Sequence, residues 1–73
     1  MIKVGHKVIV GSFKNMPATV SRIYILDSKE QETKWAFEGA RIMLDIEWPH
    51  GHGKSRVSMS DENKYWHRYS EAN

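Results

Sequence analysis

From Arg41 to Trp48, Ile42, Leu44, Ile46 and Trp48 alternate strictly with Met43, Asp45 and Glu47. A period of two sends successive side chains to opposite sides of an extended backbone, so this run predicts a β-strand with one face in a core and the other in water. Pro49 lacks the amide donor that a ladder requires, and Gly51 and Gly53 around His52 supply the flexible positions of a turn. Lys54, Arg56 and Ser58 then alternate with Ser55, Val57 and Met59, which predicts a returning antiparallel strand with Val57 and Met59 inward. A lone hairpin is marginal in water, so the rest of the chain has to extend this sheet.

Residues 4–10 read as a first strand, with Val8 and Val10 inward and Lys7 and Ile9 on the opposite face. Asn15, Met16 and Pro17 mark a loop, after which residues 18–26 are rich in β-branched and aromatic side chains. Val20 and Ile23 are three apart while Ile23 and Ile25 are two apart, a break in alternation that predicts a bulge at Ser21 and Arg22. Residues 28–32 are polar and form a loop tip. Residues 33–37 have two readings. Trp35 and Phe37 alternate with Lys34 and Ala36, which favours a short strand; the competing reading is a short helix capped by Ser28, supported by a Glu30 to Lys34 pair and stopped at Gly39. Ser60 followed by Asp61 and Glu62 resembles a helix cap with acids in the first turn, so one or two helical turns are expected toward Tyr69, with 70–73 a frayed tail.

The chain has 73 residues, enough for a single domain spanning 1–73 and too few for a deep core. It contains no cysteine, which removes disulfides, thiolate zinc ligation and a cysteine nucleophile together. No apolar run approaches the roughly 20 residues of a membrane span, and the first residues carry no signal core, so the expected location is the cytoplasm and no membrane partner is expected. Four or five short strands separated by turns predict a small curled barrel, because curling lets a short sheet enclose its own apolar face. A monomer is the expected state.

Three segments resemble the SH3-like small barrels of the Tudor and KOW type. Val4-Gly5-His6-Lys7-Val8-Ile9-Val10 is similar to their first strand. Ala18, Val20 and Ile23 resemble the spacing of the second, and Leu44-Asp45-Ile46-Glu47-Trp48 before a glycine turn resembles the third-strand region. The resemblance spans nearly the whole chain. It implies an all-β fold, an SH3-like small barrel of four or five antiparallel strands with a short C-terminal helical turn.

Charge is distributed unevenly. Residues 1–26 hold Lys3, Lys7, Lys14 and Arg22 and no acid, for +4; residues 27–47 hold six acids against three bases, for −3; residues 48–73 sum to +1. If the first hairpin and the C-terminal segment lie side by side, a basic face results. Lys54 and Arg56 share one side of their strand about 7 Å apart, a spacing suited to successive phosphates. With Lys7, Lys14, Lys64 and Arg68 they form the expected nucleic-acid site. Eight aromatic residues exceed what so small a core can bury. Trp35, Tyr65, Trp66 and Tyr69 are the candidates for an exposed surface that stacks on bases, although Trp48 and Trp66 equally suit the closing of the barrel ends.

The leading expectation is therefore a non-catalytic module binding DNA or RNA with weak sequence specificity. The alternative is a protein-interaction module, a peptide binder, adaptor or inhibitor, that uses an aromatic groove and the acidic residues 27–38. No cofactor or metal is expected: His50 and His52 read as a polar turn, because the flanking glycines leave His52 too mobile for a fixed ligand set. Asp45 and Glu47 read as the wet side of a strand, paired with Arg41 or with Lys54 and Arg56 across the hairpin, rather than as an acid and base pair.

Overall fold

A computed structural model describes residues 1–11 and 16–69. The expected Lys14 site and the tail at 70–73 lie outside the described residues. Six strands are present among those described: β1 (Lys7–Val10), β2 (Ala18–Leu26), β3 (Glu32–Thr33), β4 (Arg41–Trp48), β5 (Gly53–Ser58) and β6 (Trp66–Arg68). All pairings between them are antiparallel, in the order β5-β4-β2-β1-β6, with the two-residue β3 attached to the far end of β2.

The period-two run at 41–48 is a strand throughout. Its turn is a 3-10 turn over Pro49–Gly51, in which His50 (φ 59°), Gly51 (φ 72°) and Gly53 (φ 131°) adopt left-handed backbone. Gly53 needs the freedom of glycine most, because φ of 131° is hostile to any side chain. The register of β2 against β4 slips between Val20 and Arg22, so the extra residue is Ser21, as the broken alternation predicts.

One core lies inside the curl. Ile2, Val8, Ala18, Val20, Leu44, Ile46, Trp48 and Trp66 are buried together, with Val10, Met16, Ile23, Val57 and Met59 packed at its margin. Each buried indole has a hydrogen-bond partner: Trp48 Nε1 donates to the Met16 carbonyl (3.1 Å) and Trp66 Nε1 to the Ser58 carbonyl (2.8 Å). Met43 and Leu26 are also buried but belong to the outer side of the sheet.

The sheet is not closed. Edge strands β5 and β6 share no ladder. They are joined instead by a 3-10 turn, Met59–Asp61, and pinned by the Trp66 indole on the last carbonyl of β5. A side chain does here what a backbone ladder would do in a closed barrel.

Three local expectations are corrected. The C-terminal helical turn toward Tyr69 is replaced by the 3-10 turn and β6. Ser58, not Ser60, caps the turn, its Oγ accepting from the Ser60 amide (3.3 Å), and Glu62 is already extended. Asn63 (φ 69°) then redirects the chain so that Trp66 reaches the core and its strand pairs with β1. Tertiary burial of one indole outweighs the local helix signal. The strand at 33–37 is reduced to Glu32–Thr33, because β2 ends at Leu26 opposite Glu32, and the Trp35 amide turns back onto Thr33 Oγ1 (3.2 Å). The first strand begins at Lys7, since a turn bonded from the His6 amide to the Lys3 carbonyl (3.1 Å) precedes it.

Candidate functional site

Two basic surfaces emerge from this topology, and they differ in what surrounds each cation. The first is the outer face of β2, β4 and β5. Cross-strand partners point to one side of a sheet, so the register aligns Lys7, Thr19, Glu47 and Lys54 in one transverse row and Arg22, Asp45 and Arg56 in the next. Lys54 and Arg56 do share a face, as their spacing predicts. That face also carries the two carboxylates of β4, Glu47 opposite Lys54 and Asp45 opposite Arg56.

A hydrogen-bonded network ties this face together. Tyr24 Oη donates to Asp45 Oδ1 (2.8 Å) and accepts from Arg56 (3.4 Å), while the Arg22 guanidinium lies 4.3 Å from the Tyr24 ring centroid. Arg22 is also paired with Glu32 on β3 and lies 3.9 Å from Asp45 Oδ2. The bond from Arg22 holds the Glu32 carboxyl below the usual carboxylate range, and the bonds to Glu32 and to Tyr24 raise the proton affinity of Arg22 and Arg56. Arg41 pairs with Glu30 beyond the same end of the sheet. Every arginine of this surface is thus engaged by a carboxylate or a phenol.

The second surface is the strip formed by β1 and β6. Its ladder pairs Val8 with Arg68, Ile9 with His67 and Val10 with Trp66. Backbone bonds carry the same register one step further at each end, from the Gly11 amide to the Tyr65 carbonyl (3.2 Å) and from the Tyr69 amide to the Lys7 carbonyl (3.0 Å). Val10 and Trp66 face inward, so Lys7 with Tyr69, Ile9 with His67 and Gly11 with Tyr65 lie on the other side. Tyr65 is 58% exposed and Tyr69 41%, and Lys64 Nζ stands 5.2 Å from the Tyr65 ring centroid.

Residues 1–11 contain no acid, and within 59–69 the acids are Asp61 and Glu62. Glu62 is occupied by Arg68, whose Nε donates to it at 2.7 Å. Lys7 and Lys64 make no ion pair among the described residues. Lys7 and Lys64 thus stand beside exposed aromatic rings without an ion pair, while Arg68 is compensated by Glu62.

Of the expected site residues, the fold brings together Lys7, Lys64, Arg68, Tyr65 and Tyr69. It places Lys54 and Arg56 on the edge strand β5, at the other end of the sheet order from Arg68 on β6; Lys7 on β1 shares a transverse row with Lys54, with Thr19 and Glu47 between them. Trp35 is exposed, but it follows β3 near the Leu26 end of β2, whereas β1 pairs at the Ala18 end, about 20 Å away along the strand. Trp66 is corrected: at 1% exposure it is among the most deeply buried side chains and belongs to the core, because it fills the space where the open sheet curls over itself. Gly11 and His67 are new members of the strip. Neither has a signal in isolation, since their significance comes from the β1–β6 register. No group of three or more His, Asp or Glu side chains suited to a metal is found among the described residues, and among them no helix is long and apolar enough to cross a membrane.

No protein-family model, curated protein or solved structure matches the chain.

Proposed function

We propose that this chain is a binding module built as an open, SH3-like small barrel, non-catalytic, and that it binds nucleic acid along the β1–β6 strip. The reading rests on one juxtaposition: exposed Tyr65 and Tyr69 share a surface with Lys7 and Lys64, and neither lysine makes an ion pair among the described residues. Lysines neutralise phosphates and release their counterions, while tyrosine rings pack on bases or sugars irrespective of sequence. Lys54 and Arg56 are secondary in this scheme, because a phosphate there would approach Glu47 and Asp45 as closely as it approaches the cations.

The test is fluorescence anisotropy of a labelled mixed-sequence oligonucleotide, titrated with protein between about 50 and 200 mM salt. Affinity should fall steeply with salt. Substituting both Lys7 and Lys64 by Ala should weaken binding for all sequences and reduce the slope of log affinity against log salt by about two. Binding that ignores salt contradicts the proposal.

A second reading draws on Trp35, Phe37 and Ile42, which are 66, 61 and 40% exposed within a short stretch at the start of β4. An apolar surface of this kind suits docking to a protein, and such binding would be nearly insensitive to salt.

A further inference from the structure

The geometry points to a slot between Tyr65 and His67 that receives one unpaired nucleobase, which makes single-stranded nucleic acid the ligand class. This inference rests on the nucleic-acid reading of the same strip. Ile9, Gly11, Asn63, Lys64, Tyr65 and His67 surround one concavity. Gly11 stands directly across the ladder from Tyr65, and Ile9 stands across from His67. A side chain at position 11 would start 3.9 Å from the Tyr65 carbonyl oxygen, on the side of the ladder that carries Tyr65. The φ of Gly11 is not in the left-handed region, and among the described residues a Cβ there would meet nothing closer than that oxygen. Among the described residues, neither backbone conformation nor crowding of the first side-chain atom accounts for glycine here.

Lining and charge agree on the occupant. Tyr65, at the end of the turn, and His67, on β6, border the concavity together with the buried Ile9, so an apolar floor lies beside an exposed aromatic ring. Lys64 Nζ, beside the Tyr65 ring at 5.2 Å, is placed for the phosphate of the same nucleotide, and Lys7 continues the cationic track. A duplex keeps its bases stacked inside, whereas a single strand can turn one out against an exposed ring.

The experiment compares a single-stranded oligonucleotide with an abasic strand of the same length and charge, by anisotropy at fixed low salt, against the native chain, Gly11→Val and Tyr65→Ala. The native chain should bind the base-bearing strand about tenfold more tightly than the abasic one. Gly11→Val, which fills the slot, and Tyr65→Ala, which removes a wall, should each reduce that preference to near unity. Both positions are exposed, and a retained circular dichroism spectrum confirms the fold of each variant. Equal native affinity for the two strands overturns the slot and leaves the basic strip standing. A base preference that survives in Gly11→Val also overturns it, while failure to bind either strand overturns the strip as well.

Discussion

On the outer face of β2, β4 and β5, Arg22 is bound to Glu32, Arg56 to the Tyr24 hydroxyl, and Lys54 stands across from Glu47. On the β1–β6 strip, Lys7 and Lys64 stand among rings and imidazoles, with the nearby Glu62 already held by Arg68. The arginines of the first surface are engaged by carboxylates or a phenol, whereas Lys7 and Lys64 of the strip make no ion pair among the described residues. The difference originates in topology. β4 carries carboxylates at 45 and 47 and lies between β2 and β5, so its acids stand opposite the cations of both neighbours, Asp45 between Arg22 and Arg56 and Glu47 across from Lys54. β1 contains no acid and pairs with a strand whose only adjacent acids precede it in the turn.

The contrast holds only while both surfaces rest on the same scaffold, so the largest expected effects come from removing it. Trp66→Ala should cost about 3 to 5 kcal/mol and Leu44→Ala about 2 to 5 kcal/mol, measured by urea denaturation. Trp66→Ala should also loosen the junction of β5 with β6, because its indole is the bond between them. A near-neutral result at Trp66 would contradict the pinned open sheet.

The contrast itself is sharpened by paired charge removal. Substituting both Lys54 and Arg56 by Ala should leave the salt slope of oligonucleotide binding unchanged and alter stability by only a few tenths of a kcal/mol, whereas the Lys7 and Lys64 pair should lose most of the binding. Tyr24→Phe removes the hydroxyl shared by Asp45 and Arg56 and should cost about 0.5 to 1.5 kcal/mol in the same denaturation assay, with binding unaffected. The smallest effect concerns pH. Glu32 titrates below its unfolded value because Arg22 bonds its charged form. Its contribution is therefore complete above the ordinary carboxylate range and is lost as pH falls through the lower folded value. Carboxyl NMR titration should show Glu32 moving toward ordinary behaviour in Arg22→Gln.

The strands at 41–48 and 53–58, the bulge at Ser21 and the inward set Val8, Leu44, Ile46, Trp48 and Val57 are legible in the sequence, because period two is a local property, whereas Ile42, expected on the same inner face, is 40% exposed at the start of β4. The end of the chain is not. Ser60, Asp61 and Glu62 carry a real helix signal, but Trp66 gains more by entering the core beside β1 than a short exposed helix offers. For the same reason Trp66 cannot be told from Tyr65 and Tyr69 by pattern alone; only the ladder with β1 decides which rings turn inward. The spacing of Lys54 and Arg56 correctly places them on one face, but not the carboxylates opposite, since cross-strand partners depend on register. Gly11 becomes meaningful only once it stands opposite Tyr65.

The most direct test of the distinction between the two surfaces is an amide NMR titration of the labelled protein with a short single strand at low salt, repeated near physiological salt. The strip predicts shifts confined to residues 7–11 and 64–69 that fade as salt rises, with residues 22–24, 45–47 and 54–56 silent. Shifts centred on Lys54 and Arg56, or none at low salt, would contradict the assignment.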